Sequence, residues 1–130
     1  GMTFDAIIFA DVLEHLVDPE TTLQNFSKLL KSDGRIVISL PNVALWRVRL
    51  NLLFGRFDYT DYGVLDRTHL HLYTFKTSKE LIKNTGFSIV SEQGALNFWF
   101  FGVLVQYIPF LRNILSIHII IEAKKAQNEK

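Results

Sequence analysis

Three groups of residues have the types and spacing for chemistry. Asp11, Glu14 and His15 follow directly on the apolar run Phe4 to Ala10. If that run is a strand of an open α/β sheet, they stand just past its carboxyl end, where such sheets gather ligands. His69 and His71 form the second group, two residues apart, and on a strand they would share a face. An imidazole can take a proton from a substrate hydroxyl near neutral pH, so His69 is a candidate general base, with His71 beside it. The competing reading is a histidine that only hydrogen-bonds a loop. A metal site here would need a further ligand, for which Asp66 is at hand, and the pattern falls short of the three or four ligands zinc favours, so no metal is assigned. The third group is Arg47, Arg49, Arg56 and Arg67. Arginine suits a phosphate or carboxylate on a substrate, and equally a solvated face with surface ion pairs.

The elements that must position these groups are readable in part. Phe4 to Ala10 is nearly continuous in apolar residues, which predicts a strand buried on both faces. Asp18-Pro19-Glu20 opens a helix, with Asp18 as cap, proline in the first turn and an acid at the positive end of the dipole. Leu23, Phe26, Leu29 and Leu30 give it an apolar stripe, and Asp33-Gly34 predicts its end. Arg35 to Leu40 is rich in β-branched residues and reads as the next strand, ended by Pro41-Asn42. Strand, helix and strand with short links make a βαβ unit with a parallel pair. Leu45 to Phe54 predicts a helix, Gly55 to Asp66 an irregular excursion, and Thr77 to Glu80 a capping box opening a helix that stops at Gly86. Phe87 to Gln93 and Leu115 to Ala123 predict two more strands, the last buried on both faces. Phe98 to Phe101 and Tyr107 to Leu111 form the densest aromatic and apolar cluster, in a segment expected to break at Pro109.

Composition sets the outer bounds. The chain of 130 residues fits one domain. With 14 basic and 13 acidic residues it lacks the basic excess of a nucleic-acid binder. It contains no cysteine, which excludes disulfides, thiolate metal sites and thiol nucleophiles. No apolar run approaches the length of a transmembrane helix, and no secretory signal is read, so a cytoplasmic location is expected. Gly1 reads as a tag remnant, 3–125 as the domain, and the polar end, from about Lys124 or Ala126 onward, as a disordered tail.

Read together, the order strand, helix, strand, insertion, helix, strand, strand resembles the second half of the class I S-adenosylmethionine-dependent methyltransferase fold. Phe4 to Leu16 is similar to the fourth-strand segment of small-molecule methyltransferases, Leu30 to Asn42 to their post-helix turn and fifth strand, and Thr85-Gly86-Phe87 to the turn into their sixth. Pro41-Asn42 with Trp46 to Leu50, and Asp66 to His71 with Tyr73-Thr74, resemble a narrower subset, the methionine biosynthesis protein W family and methyltransferases of polysaccharide gene clusters. The resemblance implies a truncated Rossmann-like mixed sheet of about four strands, with a parallel pair and a C-terminal hairpin whose last strand is antiparallel. It implies methyl transfer from S-adenosylmethionine to a small-molecule acceptor, with oxygen as the expected atom. Asp11, Glu14 and His15 would line the cofactor, His69 would be the base, and Pro41, Asn42, Arg47 and Arg67 would face the substrate.

The family's glycine-rich turn, which approaches the cofactor's methionine part, and the acid that holds its ribose have no counterpart, since no two glycines lie closer than eight positions. The chain therefore reads as the C-terminal half of the domain, with its first strand as a sheet edge. Such an edge is a template for pairing, and a homodimer through it is expected, or completion by a missing N-terminal half. A non-catalytic interaction module and one half of a split enzyme are the alternatives.

Overall fold

The computed structural model describes residues 1–96 and 105–126. Four strands form one mixed sheet in the order β1-β2-β4-β3, with β1 Phe4–Ala10, β2 Leu30–Pro41, β3 Phe87–Ala95 and β4 His118–Lys125. β1 and β2 are parallel, and β4 runs antiparallel to both β2 and β3. The helices are α1 Pro19–Ser27, α2 Trp46–Leu53, α3 Phe75–Asn84 and α4 Pro109–Leu115, with a 3-10 turn at Leu13–His15. The expected mixed sheet, parallel pair and antiparallel last strand are all present. No described helix is long and apolar enough to cross a membrane.

One face of the sheet carries the core. Phe9, Ile36, Ile38, Leu40, Ile119, Ile121 and Ala123 pack there against Leu23 of α1 and Leu81 and Ile82 of α3. Each such side chain contributes about 1.5–3 kcal/mol when fully buried. The opposite face is only partly covered, with Ile8 at 69% exposure and Val37 and Ile120 half-buried. Burial on both faces, expected for β1 and β4, therefore does not hold among the described residues: β1 is an edge strand, and β4 buries alternate residues.

Local signals misplaced several boundaries. α1 stops at Ser27, and β2 begins at Leu30 rather than Arg35. Phe4 pairs with Leu30 and Ala6 with Arg35, so Lys31 to Gly34 bulge out of the ladder. Gly34 is required by close approach, not by a helix cap, because a Cβ there would lie 3.1 Å from both the backbone N and the O of Lys31. The capping box of α3 is formed by Thr74 and Thr77, three residues before the one expected. The segment breaks as expected after the helical Val105 and Gln106, and Pro109 opens the next helix, α4, since its missing N–H costs nothing in the first turn. The expected tail is also shorter, because Lys124 and Lys125 pair in β4 and Ala126 N–H donates to Gly86 O at 2.9 Å. Residues 127–130 and the aromatic residues Phe98, Trp99, Phe100 and Phe101 lie outside the described residues.

Candidate functional site

At the carboxyl end of β1 the backbone turns sharply at Asp11, the one described non-glycine residue with positive φ (51°). This turn throws the 3-10 segment Leu13–His15 over the sheet end. Leu13 is fully buried as its anchor, and Glu14 is drawn inside beside it, only 1% exposed. The Glu14 carbonyl accepts the N–H groups of Leu70 (2.8 Å) and His71 (3.1 Å). Those two bonds bring the loop after α2 against the turn and place His69 next to Glu14, across 55 residues of chain.

Both His15 Nε2 and His69 Nε2 lie 4.0 Å from Glu14 Oε1, and the two rings meet edge to face with centroids 4.8 Å apart. Their other nitrogens are already engaged. His15 Nδ1 is 3.2 Å from the Thr68 carbonyl and 3.2 Å from Thr68 Oγ1. The Thr68 hydroxyl gives its own proton to Asp66 Oδ1 at 2.7 Å, so towards His15 it can only accept. His69 Nδ1 is 3.2 Å from the Val64 carbonyl. Carbonyls only accept, so Nδ1 carries the proton on both rings. In the neutral state both unprotonated Nε2 atoms thus lie 4.0 Å from a carboxylate whose two oxygens have no hydrogen-bond partner among the described residues.

Three acceptors converging around the buried Glu14 carboxylate suit a donor between them, a proton, a cation or a water. Burial, above all, raises the Glu14 pKa, with the nearby Asp11 charge adding to it against the opposing effect of its own backbone N–H and the two histidines. The arrangement suits proton transfer. It is also the one described group of three metal-capable side chains, with ligand atoms within 4.8 Å of one another. Histidines whose second nitrogen donates to a carbonyl are the usual preparation for a metal ligand. The expectation of no metal rested on a different set, His69 with His71 and Asp66.

The roles expected from sequence are redistributed. His69 and His71 are not on a strand and stand at different places, His69 beside Glu14 and His15. His71 instead joins Tyr73, Val17, Asp18, Glu20 and Thr77 around a separate cleft, with its Nε2 buried and unpartnered. Burial pushes the Tyr73 hydroxyl up to about 12, helped by the charges of Glu14 and Glu20. His69 has only 6% of its side chain exposed against 39% for His15, so His15 is the imidazole a substrate can reach. Asn42 is fully buried: its Nδ2 donates to the Asn113 and Ser116 carbonyls (2.8 Å each), and its Oδ1 accepts from Ala44 N–H (3.1 Å). Asn42 and the buried Pro41 before it thus stand at the end of β2, with the Asn42 amide engaged by backbone groups. Arg47 is exposed, and Arg67 pairs with Asp61 at 2.9 Å on the surface. Thr68 and Asp66, which fix the His15 ring, carried one local signal, the Asp-x-Thr spacing of an Asx turn.

The fit to a cofactor is partial. Asp11 accepts from Ser39 Oγ at 3.0 Å and lies 3.5 Å from His118 Nε2, while Glu14 is turned inward. Neither carboxylate is free for a ribose, and the described residues form one wall without a glycine-rich turn. They do not make a cofactor site by themselves.

Comparison with known proteins agrees with the fold. A family model described as a methyltransferase domain matches residues 1–92, and the chain belongs to that family. It is 27% identical over 94 residues to human mitochondrial ubiquinone biosynthesis O-methyltransferase, covering 72% of this chain and 26% of that protein. The magnesium protoporphyrin IX methyltransferase of Synechocystis, solved with bound SAH, superposes with a TM-score of 0.59 at 19% identity, over 97% of this chain and 47% of that one. A SAM-dependent methyltransferase of Archaeoglobus fulgidus gives 0.61 at 21%, over 95% and 60%. The fold is that of a class I SAM-dependent methyltransferase, and the chain spans about half the length of these solved structures and a quarter of the human relative. The narrower likeness to the methionine biosynthesis protein W family remains a resemblance.

Proposed function

We propose that this chain carries the acceptor side of an S-adenosylmethionine-dependent O-methyltransferase, with His15 as the general base. The observation that carries the reading is the convergence of His15 Nε2, His69 Nε2 and the unpartnered Glu14 carboxylate. The cofactor supplies an electrophilic methyl group. His15 takes the proton of the acceptor hydroxyl at Nε2, and Glu14 and His69 behind it stabilise the imidazolium that results. The name of the human relative supports oxygen as the acceptor atom. The test is methyl transfer from labelled S-adenosylmethionine to a panel of small phenols and amines, with the cofactor-binding half of the domain supplied. Transfer to hydroxyl acceptors that is lost in His15→Asn supports the reading. Transfer to amines alone, or full activity in the variant, overturns it.

A second reading rests on the same convergence: a divalent cation, rather than a proton, sits among the three acceptors and lowers the acidity barrier of a bound hydroxyl. Calorimetric titration of chelator-treated protein with Mg2+ or Mn2+ separates the two. Saturable binding lost in Glu14→Gln selects the cation, and no binding selects the proton.

The open edge of β1, with Phe4 at 41% and Ile8 at 69% exposure, is the place where a further strand adds. We infer pairing there, in a homodimer or with a preceding segment of the fold. For this chain alone, light scattering at micromolar concentration is expected to give a dimer, and a monodisperse monomer would remove the homodimer.

A further inference from the structure

The helix α2 is apolar on two opposite sides. Inward, Val48 is buried and joins Leu45 and Leu65 in a small second core. Outward, Trp46, Leu50, Leu53 and Phe54 are exposed at 42, 45, 77 and 76%. At about 100° per residue these four fall in one stripe roughly 100° wide, nearly opposite Val48. Arg47 and Arg49 border that stripe, one on each side. Arg56 follows, next to Phe57 (38% exposed), and no acidic residue occurs from Val43 to Phe57. Among the described residues none of the three arginines pairs with a carboxylate, while Arg49 Nε is tied to the Ala44 carbonyl at 2.6 Å.

An exposed aromatic and aliphatic stripe edged by arginines is the pattern of a helix that lies in a lipid–water interface, its apolar side chains among the acyl chains and its cations at anionic headgroups. A second copy of the chain fits the stripe less well. Twofold packing of α2 on itself would set arginines against arginines, with no acid on the helix to pair them. We propose that the outward face of α2 docks on a membrane surface rich in anionic lipid. The Val48 and Leu65 contact holds the helix to the body, so docking presents the loop that carries His69 at the same surface. This inference is independent of the proposed chemistry.

The experiment is co-sedimentation of the chain with phosphatidylcholine vesicles, with and without phosphatidylglycerol. Binding is expected with the anionic vesicles and is expected to weaken with salt. Arg47→Gln with Arg56→Gln should weaken it by about five-fold per arginine, the effect of roughly one kilocalorie for each charge at an anionic surface. Leu53→Asp with Phe54→Asp should reduce it at least about ten-fold, given the apolar area each residue withdraws from water. Both pairs are exposed, so circular dichroism should show an unchanged fold. No binding of the folded chain to anionic vesicles, or binding that the Leu53 and Phe54 changes leave intact, overturns the proposal. A concentration-dependent dimer abolished by Leu53→Asp with Phe54→Asp, without vesicle binding, also overturns it and assigns the stripe to a second copy.

Discussion

Glu14→Gln should make the protein more stable while removing the methyl-transfer activity proposed for it. The carboxylate is buried, has no hydrogen-bond partner on either oxygen among the described residues, and lies 4.0 Å from two imidazole Nε2 atoms. A glutamine amide donates where the carboxylate can only accept, so the variant supplies the hydrogen bonds the site lacks. One such bond is worth about 1 kcal/mol. The pH dependence has a definite sign. The folded-state pKa of Glu14 is raised by burial, so the folded chain holds this proton more tightly than the unfolded chain. The corresponding stability is fully present below the unfolded carboxylate pKa and is lost as pH rises through the folded value. The variant's advantage should therefore grow from acid towards neutral pH, as measured by urea midpoints along a pH series. Catalysis should fall by about 10²- to 10⁴-fold, the usual contribution of a positioned base with its partners. A variant that is less stable than the parent at neutral pH would mean that Glu14 has a buried partner in the native protein, and the cation reading would then gain.

That combination, a stability cost concentrated where the chemistry is proposed, is the usual signature of a functional site. The charged groups elsewhere behave differently. Asp5 with Lys31, Glu122 with Arg35 and Asp18 with the Thr21 N–H are each satisfied, and their carboxyls are held below the usual range by those partners. Asp66 is likewise lowered by the Thr68 hydroxyl and N–H, consistent with its role in orienting the Thr68 side chain and hence His15. Among these carboxyls Glu14 alone is raised.

What could be read from the sequence divides along the range of the interactions. β1, the Asp18-Pro19 start of α1, α2 within a residue at each end, and the Gly86 turn all rest on local signals and appear where expected. The Asp33-Gly34 turn signal was misleading because the pairing of β1 with β2 sets the backbone there, through a bulge that no local pattern encodes. The site shows the same division. Asp11, Glu14 and His15 were recognisable by type and by their place after a strand, and His69 by type and its spacing to His71. Their grouping was not, because the backbone bonds from Leu70 and His71 to the Glu14 carbonyl join segments far apart in sequence. A period of two assigned His71 to His69, but the loop is not a strand and turns His71 elsewhere. Nor can sequence reveal that Glu14 is buried and His15 exposed, and this is the distinction that moves the proposed base from one histidine to the other.

Asn42→Ala should be the most damaging single change outside the apolar core. Asn42 sits where β2 ends, and its side chain uses three hydrogen bonds to join three segments: Nδ2 to the Asn113 and Ser116 carbonyls, and Oδ1 from Ala44 N–H. Its backbone N–H adds a bond to Ile117 O at 2.8 Å, and its backbone bridges to Tyr73. The end of α4, the start of β4, the entry to α2 and the loop behind His69 all meet at this residue. Truncation leaves two carbonyls and one N–H without their partner in a region that is buried at Ser116 and partly buried at Asn113 and Ala44. Each unsatisfied group costs about 1–3 kcal/mol, so a total of about 3–5 kcal/mol is expected after partial relaxation. For a chain of this size that lowers the melting temperature by roughly 10–20 °C. Asn42→Asp tests the mechanism rather than the size. A carboxylate of nearly the same shape can still accept from Ala44, but it turns acceptors towards two carbonyls, so at neutral pH it should be no better than alanine. Protonation supplies one donor, and burial beside two carbonyls raises the carboxyl's folded-state pKa, so the aspartate variant should begin to regain part of the loss as pH falls through that raised value and have regained it below about pH 4, near the ordinary aspartate pKa. A loss under 1 kcal/mol in the alanine variant would mean that the three segments are held together by apolar contact alone, and that their junction at the end of β2 does not depend on this amide.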